Sequence, residues 1–327
     1  MSAGPARYSL SRKEGWRAFC DAPARVAPDR LVPRQLAALG DQARGDYDDS
    51  RHIWHANFGV LGTPALRAAH DRLDQVVASN LQDADRLRGA VVIDALPGLG
   101  KTTIANTYAR DHDRSARRRH GELTEAGHER IPVFRVGLTS NTTLRTLNRM
   151  ICQFYGHPGT TRSTAAALAD HAVDCVLACD TTLGIIDDVH FIDPSRRDGH
   201  EVSNHLKWLV NELPVTFIYV GVGLAERRFF REGLTGSDAV LAQTARRWTR
   251  CPVDPFSAAD RDGARAWAEL LASTEDRLVL ARARPGMLVG IAKYVFARTG
   301  GHIGSFVTLI VRGCYEAIRS GAEQLSV

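Results

Sequence analysis

The sequence has no apolar run long enough to cross a membrane, and residues 1–5 lack the start of a secretory signal peptide with its apolar segment. It also has no internal repeat and no low-complexity tract. We therefore expect a cytoplasmic protein without membrane contact. Its 327 residues, 44% of them hydrophobic, are enough to bury a large core, and their number predicts two domains.

Cysteine is also scarce, and none of the six cysteines forms a CxxC pair. Cys175 and Cys179 lie one turn apart in a helical pattern, but a zinc site would need two more ligands, which we do not find in the sequence. The cysteines are therefore expected to be buried free thiols in a reducing compartment.

The excess of positive charge is small, with 42 Lys and Arg against 37 Asp and Glu, or a formal net charge of +5. This excess is compatible with contacts to a phosphate backbone but does not by itself predict DNA binding. Two local basic clusters are more suggestive, and each is equally consistent with a solvated surface. They are Arg110, Arg114, Arg117, Arg118, Arg119 and His120, and further along Arg246, Arg247 and Arg250.

The residues with the clearest chemistry follow an apolar run at 90–94 and end in Gly-Lys-Thr-Thr. A buried strand that enters such a glycine-rich turn is typical of a P-loop, whose backbone N–H groups point at phosphate oxygens. Lys101 is expected to reach the β- and γ-phosphates and Thr102 to bind Mg²⁺. The first glycine of the usual pattern is replaced by Ala95. The predicted ATP-binding residues here are Leu96, Pro97, Gly98, Leu99, Gly100, Lys101, Thr102 and Thr103.

A second motif, at 183–188, is an apolar strand that ends in two carboxylates. In a parallel sheet this strand would lie beside the P-loop strand, and its carboxyl end would face the phosphates. We predict that Asp187 contributes to the Mg²⁺ shell and that Asp188 is the general base for the attacking water. Many ATPases carry glutamate at the second position, so the shorter Asp188 predicts slow or assembly-dependent hydrolysis.

Three regions follow from the pattern along the chain. Residues 1–56 are polar and are expected to form an irregular docking arm, while residues 57–255 alternate helices with apolar strands. Such alternation predicts an α/β core with a parallel sheet. Residues 256–327 are expected to be a small all-helical lid. The predicted strands are 90–95, 131–137, 182–186, 215–221 and 248–253, and the predicted helices lie near 101–110, 142–155, 163–179 and 201–213.

Together with these motifs, several flanking segments resemble the AAA+ ATPases, and in particular the transposon ATPases of the TniB/TnsC type. The order of the segments carries the resemblance, because each is weak alone. They are residues 51–55, 60–64, 204–214, 215–221, 243–248 and 299–304, with the helix that follows to residue 323.

The resemblance implies a P-loop NTPase (AAA+) core, with ATP and Mg²⁺ as cofactors and Thr63 beside the nucleotide. It further implies an arginine finger at Arg246 or Arg247, with Arg246 favoured, that stabilises charge on a neighbouring subunit's γ-phosphate. A finger supplied by a neighbour requires a homo-oligomer, either a ring or a helical filament. The implied partners are double-stranded DNA, a DDE-type transposase and a target-selection protein.

The residues after the second strand are the candidate DNA contacts, because family members use this region to hold the DNA backbone. Hydroxyls, amides and arginines suit phosphate contacts without base readout. The same residues would also make a well-capped helix, and the sequence leaves both interpretations open. The candidates are Thr139, Asn141, Arg145 and Arg149.

Two positions depart from the family pattern. Val222 stands where the fourth strand usually ends in a polar sensor of the γ-phosphate, and the last lid helix has His302 where an arginine is common. Both departures predict a nucleotide-timed switch rather than a fast motor. The function implied is therefore an ATP-dependent, DNA-binding regulator of transposition. A nucleotide-gated signalling or defence ATPase of the STAND type and an initiator- or helicase-loader-like ATPase remain as alternatives.

Overall fold

The computed structural model describes residues 8–81, 88–160, 163–193, 197–224 and 248–326. The strands are β1 Ala90–Asp94, β2 Val133–Gly137, β3 Leu183–Asp187, β4 Thr216–Gly221 and β5 Trp248–Pro252. The helices before residue 180 are α1 Lys13–Asp21, α2 Pro33–Ala37, α3 Asp41–Ala56, α4 Pro64–Ser79, α5 Lys101–His120, α6 Leu144–Phe154 and α7 Ala165–Ala178. The later helices are α8 Arg197–Glu212, α9 Arg261–Glu275, α10 Met287–Gly290, α11 Ala292–Thr299 and α12 Ile303–Arg319.

The five strands form one parallel sheet in the order β2-β3-β4-β1-β5. β1, β3 and β4 are buried along nearly their whole length, as expected of strands that are covered by helices on both faces. The α/β fold with a parallel sheet, predicted from alternating apolar runs, is confirmed. β1 lies between β4 and β5, so β4 separates it from β3, and the expectation that the strand at 183–188 lies directly beside the P-loop strand is wrong. The carboxyl ends of β1 and β3 still lie at the same end of the sheet, because the strands are parallel.

Two segments differ from the expectation. The polar N-terminal region is not irregular, since α1 and α3 are regular helices whose buried side chains include Trp16 and Trp54. The buried residues are Trp16 and Cys20 on α1 and Arg51, Trp54 and His55 on α3, so little apolar periodicity was left for sequence reasoning to detect. In addition, α5 continues to His120, so the first basic cluster lies on that helix rather than after it.

The buried side chains of the described residues fall into two clusters. The larger one surrounds the sheet and includes Trp16 of α1. The second cluster joins α9, α11 and α12 to Trp54, Phe58 and Leu61, which lie at and after the end of α3. The N-terminal region therefore contacts the sheet through α1 and the C-terminal helices through α3. The three-part division at residues 56 and 255 stays a prediction.

Among the described residues, no helix is long and apolar enough to span a membrane.

Candidate nucleotide-binding site

The loop between β1 and α5 has the backbone of an anion-binding turn. Gly98 and Gly100 take φ angles of 77° and 81°, in the left-handed region that favours glycine. Gly100 is the N-cap of α5, so the unpaired N–H groups of the first helical turn lie at the mouth of the loop. Leu99 is buried and fixes the loop to the core while Pro97 is exposed. The predicted P-loop residues Leu96 to Thr103 are thus brought together at the carboxyl end of β1.

Lys101 is held at the same end of the sheet. Its Nζ donates hydrogen bonds to the carbonyl oxygens of Ala95 and Leu96, both at 2.8 Å. Partial burial lowers the pKa of Lys101, and the nearby carboxylates of Asp94 and Asp187 act in the opposite direction. The ammonium group of Lys101 therefore lies over the loop, where it can donate a hydrogen bond to a phosphate oxygen.

Asp187 and Asp188 follow one another at the end of β3 but occupy different environments. Asp187 is 2% exposed, and its Oδ1 accepts from the backbone N–H of Asp188 at 2.9 Å and from the Thr102 hydroxyl at 3.4 Å. Asp188 has a half-exposed side chain and a φ of 59°, which is uncommon for a residue with a Cβ. Burial, followed by the charge of Asp187, raises the pKa of Asp188. Asp188 is therefore the better proton acceptor of the two.

Arg135 is a further member of this site that sequence reasoning missed. It lies on β2, and its guanidinium donates to Asp187 Oδ2 at 2.7 Å and, through Nε, to Asn106 Oδ1 at 3.0 Å. The register of the sheet explains the meeting, because Gly137 is the partner of Asp187 and Arg135 lies two residues earlier, on the same face. The available signal was a single arginine inside an otherwise apolar strand.

The donor atoms fit a magnesium ion that is completed by phosphate and water. Thr102 Oγ1 and Asp187 Oδ1 are neighbours, and oxygen ligands of this type suit Mg²⁺, which keeps several waters and binds through one or two carboxylates and substrate phosphates. Within the described ranges, no group of three or more His, Cys, Asp or Glu side chains is arranged to hold a metal ion by itself. A metal here would depend on the nucleotide for its remaining ligands.

A cavity of about 300 Å³ lies beside the P-loop. One wall comes from the linker before α4, including Thr63, and the opposite wall from Ile303 and Val307 of α12. The Thr63 hydroxyl accepts from the N–H of Leu66 at 3.1 Å, so it caps α4 while lining the cavity. The cavity is mostly apolar, which suits the flat faces of a nucleoside base.

The C-terminal helices reach the P-loop directly through α12. The N–H of Gly304 donates to the carbonyl oxygen of Gly98 at 2.8 Å. A Cβ at position 304 would lie 2.8 Å from that oxygen and 3.2 Å from the Gly98 Cα, so only glycine permits this approach. A backbone contact therefore joins α12 to the P-loop.

A second cavity, of about 390 Å³, lies at the amino ends of the strands, opposite the P-loop. Its lining includes Pro132, Thr182 and Pro214, which precede β2, β3 and β4. Because those strands are parallel, this cavity is separated from the P-loop by the length of the sheet. Its walls supply no glycine-rich loop, and we do not connect it with nucleotide chemistry.

The candidate DNA contacts lie in the loop after β2 and on α6. Thr139, Asn141, Arg145 and Arg149 are all exposed, at the same end of the sheet as the P-loop. Arg145 donates to the Ser163 carbonyl oxygen at 3.1 Å, and Thr143 caps α6. Arg145 and Arg149, four residues apart, lie on the same face of α6. The predicted arginine-finger residues Arg246 and Arg247 lie outside the described residues.

The first basic cluster is largely engaged within the chain. Arg117 is 8% exposed and pairs with Asp113, Asp21 and Glu122. Arg114 donates to the carbonyl oxygens of Cys20 and Ala22, so both arginines hold the N-terminal region on α5. For these two arginines, neither the solvated-surface interpretation nor the phosphate-contact interpretation is correct. Arg118 and Arg119 remain exposed.

Comparisons with known proteins agree with this geometry. A family model described as an AAA domain matches residues 84–229. The structure is similar to the Aeropyrum pernix ORC1 protein in complex with DNA, with a TM-score of 0.57, 15% identity, and coverage of 84% of this chain and 66% of that one. It is also similar to the Aeropyrum pernix ORC2 protein in ADPNP and ADP complexes, with a TM-score of 0.53, 16% identity, and coverage of 82% and 67%.

No curated protein matches this chain by sequence. At these identities the structural likeness concerns the fold, and the chain spans slightly less than two thirds of the ORC1 chain. The parallel sheet and the P-loop have the AAA+ P-loop NTPase fold. The predicted fold class is thereby confirmed.

Proposed function

We propose that this protein is an AAA+ ATPase that assembles on double-stranded DNA in its ATP-bound state and regulates a DDE-type transposase. One observation supports nucleotide binding and hydrolysis. At the carboxyl ends of the parallel strands the structure brings together Lys101, Thr102, Asp187 and Asp188. The transposition part is supported by the order of the flanking segments, which resembles the TniB/TnsC type.

Each residue of the site has a defined task in this proposal. The P-loop amides and Lys101 bind the β- and γ-phosphates, and Thr102 and Asp187 hold Mg²⁺, which would neutralise charge on the phosphate oxygens. Asp188 accepts the proton of the attacking water. Its raised pKa favours that acceptance, while the shorter aspartate side chain makes turnover slow. Arg246 or Arg247 of a neighbouring subunit would complete the charge stabilisation.

The DNA part of the proposal rests on the exposed surface formed by Thr139, Asn141, Arg145 and Arg149. These side chains offer hydroxyl, amide and guanidinium groups, which contact phosphates without reading bases. The solved ORC1 protein of similar fold is described in complex with DNA. The N–H of Leu138, next to Thr139, donates to the carbonyl oxygen of Asp187 at 2.9 Å, and this contact provides a path by which DNA binding and the nucleotide state depend on one another.

A second candidate is an initiator- or helicase-loader-like ATPase. Similarity of fold to the two ORC proteins favours it over the STAND-type alternative. A matched pull-down with a DDE-type transposase and a replicative helicase as baits separates the two candidates. Retention of the transposase in the presence of ATP supports the transposition role, and retention of the helicase supports the initiator role.

Sedimentation with a non-specific DNA duplex tests the proposal, with ATP, with ADP and without nucleotide. We expect large complexes only with ATP and DNA together. Lys101→Ala should abolish them through loss of phosphate binding, whereas Asp188→Asn should keep binding, block hydrolysis and prolong assembly. ATP-driven oligomers that ignore DNA would favour the STAND-type alternative. Absence of assembly in all conditions would remove the oligomer and its arginine finger.

A further inference from the structure

Arg135 is the only residue on β2 whose side chain is charged, and it reaches the carboxylate proposed to face the metal. The ion pair between Arg135 and Asp187 is largely shielded, with side-chain exposures of 13% and 3%. Asn106, on the second turn of α5, accepts from Arg135 Nε at 3.0 Å and fixes the guanidinium from the other side. The arginine is therefore held in place by two elements and not by Asp187 alone.

The three donors divide the two oxygens of Asp187 between them. Oδ2 receives the guanidinium of Arg135 at 2.7 Å, and Oδ1 receives the Asp188 N–H at 2.9 Å and the Thr102 hydroxyl at 3.4 Å. Since Thr102 is on the first turn of the P-loop helix, Oδ1 is the oxygen that faces the phosphate site. Arg135 thus pairs with Oδ2 and leaves Oδ1 directed towards the proposed metal site.

This arrangement has an electrostatic consequence for metal affinity. A divalent cation beside Asp187 meets a carboxylate that is already paired, together with the nearby ammonium of Lys101. Charges in a partly buried site interact more strongly than charges in water, so a fixed guanidinium lowers the affinity for a second cation. A nucleoside triphosphate brings negative charge, which offsets the repulsion between the cationic side chains and Mg²⁺.

We propose that Arg135 is a positioning residue that sets the magnesium requirement of the site, so that Mg²⁺ binds appreciably only together with the nucleotide. This inference rests on the proposed nucleotide-binding function. Arg135 orients Asp187 through its hydrogen bond to Oδ2 and weakens the site for the free metal through its charge. Without that charge, the carboxylates would collect a divalent cation before the nucleotide arrives.

The test measures binding of a fluorescent ATP analogue against Mg²⁺ concentration, and binding of Mn²⁺ alone by electron paramagnetic resonance. Arg135→Gln removes the charge but keeps an amide that can donate to Asp187, and Arg135→Lys keeps the charge. Arg130→Gln is the matched control, because Arg130 makes an ion pair with Asp180 at the opposite edge of the sheet.

For Arg135→Gln we expect the Mg²⁺ midpoint to fall at least about fivefold and Mn²⁺ to bind without nucleotide. Arg135→Lys and Arg130→Gln should keep the wild-type midpoint within about twofold. A midpoint in Arg135→Gln that is unchanged or higher overturns the inference, as does Mn²⁺ binding to the wild-type protein without nucleotide. If the wild-type protein binds no ATP analogue at any Mg²⁺ concentration, the proposed function itself fails, which is a separate result.

Discussion

The two adjacent carboxylates at the end of β3 show how neighbouring residues acquire different tasks. Asp187 is buried and accepts hydrogen bonds from Arg135, from the Asp188 N–H and from the Thr102 hydroxyl. Asp188 is half-exposed, has a raised pKa and takes a left-handed backbone conformation. A backbone outlier at such a position is a common feature of functional sites. Asp187 is therefore suited to bind a metal ion through its charge, and Asp188 is suited to accept a proton.

His55 gives a prediction about pH at the same scale. It is buried, and its Nε2 accepts from the N–H of Val279 at 3.0 Å. Burial, followed by the charge of Arg51, lowers the pKa of His55 to about 4. An unfolded histidine titrates near 6.5, so the folded protein binds fewer protons between these values. The stability from neutral His55 is complete above about pH 6.5 and is lost as the pH falls towards 4.

Urea unfolding at pH 7.5, 6 and 5 measures this loss. The shift of the His55 pKa corresponds to about 3 kcal/mol at most, of which roughly half is lost by pH 5. His55→Gln keeps an acceptor but cannot titrate, so its free energy of unfolding should depend less on pH. His205, whose pKa burial also lowers to about 4, stays in both proteins and leaves a common slope. Identical slopes for the two proteins would contradict the prediction.

Residues of the site differed in how well the sequence revealed them. Lys101 and Thr102 stand in a local motif, where spacing along the chain determines their place. Arg135 acts through Asp187, fifty-two positions later, and only the register between β2 and β3 brings them together. A lone arginine in a strand carries no information about the strand opposite. The sequence therefore predicted contacts within one loop but not contacts between neighbouring strands.

At the scale of elements, strands were predicted more closely than the N-terminal helices. β1, β3 and β4 are continuous apolar runs followed by Gly or Asp, and their observed ends lie within a residue or two of the predicted ones. In α3 the position between Tyr47 and Trp54 that faces the core holds Arg51, which is fully buried. A charged residue at a core position interrupts the apolar periodicity, so the pattern indicated an irregular arm.

The contact between α12 and the P-loop yields a prediction about one element acting on another. In Gly304→Ala the new methyl group would lie 2.8 Å from the Gly98 carbonyl oxygen, and backbone must move to accept it. We expect the affinity for the ATP analogue to fall by about tenfold, because the P-loop or α12 is displaced. Gly290→Ala, on α10, is the control, since its added Cβ meets nothing within 4 Å. Wild-type affinity in Gly304→Ala would show that the contact does not constrain the loop.

At the scale of the whole molecule, the N-terminal region joins the sheet to the C-terminal helices. Trp16 of α1 is buried against α5 and donates through Nε1 to Asp113 at 3.1 Å. Trp54 of α3 donates to the carbonyl oxygen of Arg277 at 2.7 Å. The linker after α3 then forms one wall of the nucleotide cavity. The N-terminal region therefore contacts the sheet, the C-terminal helices and the nucleotide cavity.

Glu323 closes this arrangement near the far end of the described chain. Its carboxylate accepts from Arg51 at 2.7 and 3.1 Å, from Arg44 at 3.2 Å and from the N–H of Ala281 at 3.0 Å. Arg51 and Glu323 have side-chain exposures of 0% and 5%, so the pair is almost entirely removed from water. Two buried charges of this kind are costly to separate, because each loses its hydration whether or not its partner is present.

We therefore predict that Glu323→Gln lowers the free energy of unfolding by about 3 kcal/mol, as measured by urea denaturation at pH 7.5. The matched control is Glu316→Gln on α12, because its pair with Arg319 is exposed to solvent and should contribute little to the free energy of unfolding. Because Glu323 connects α3 to the C-terminal helices, its loss should weaken the packing of Trp54 and make the tryptophan fluorescence transition precede the circular dichroism transition. Equal costs for the two variants, with coincident transitions, would mean that the buried pair does not hold the N-terminal region to the C-terminal helices.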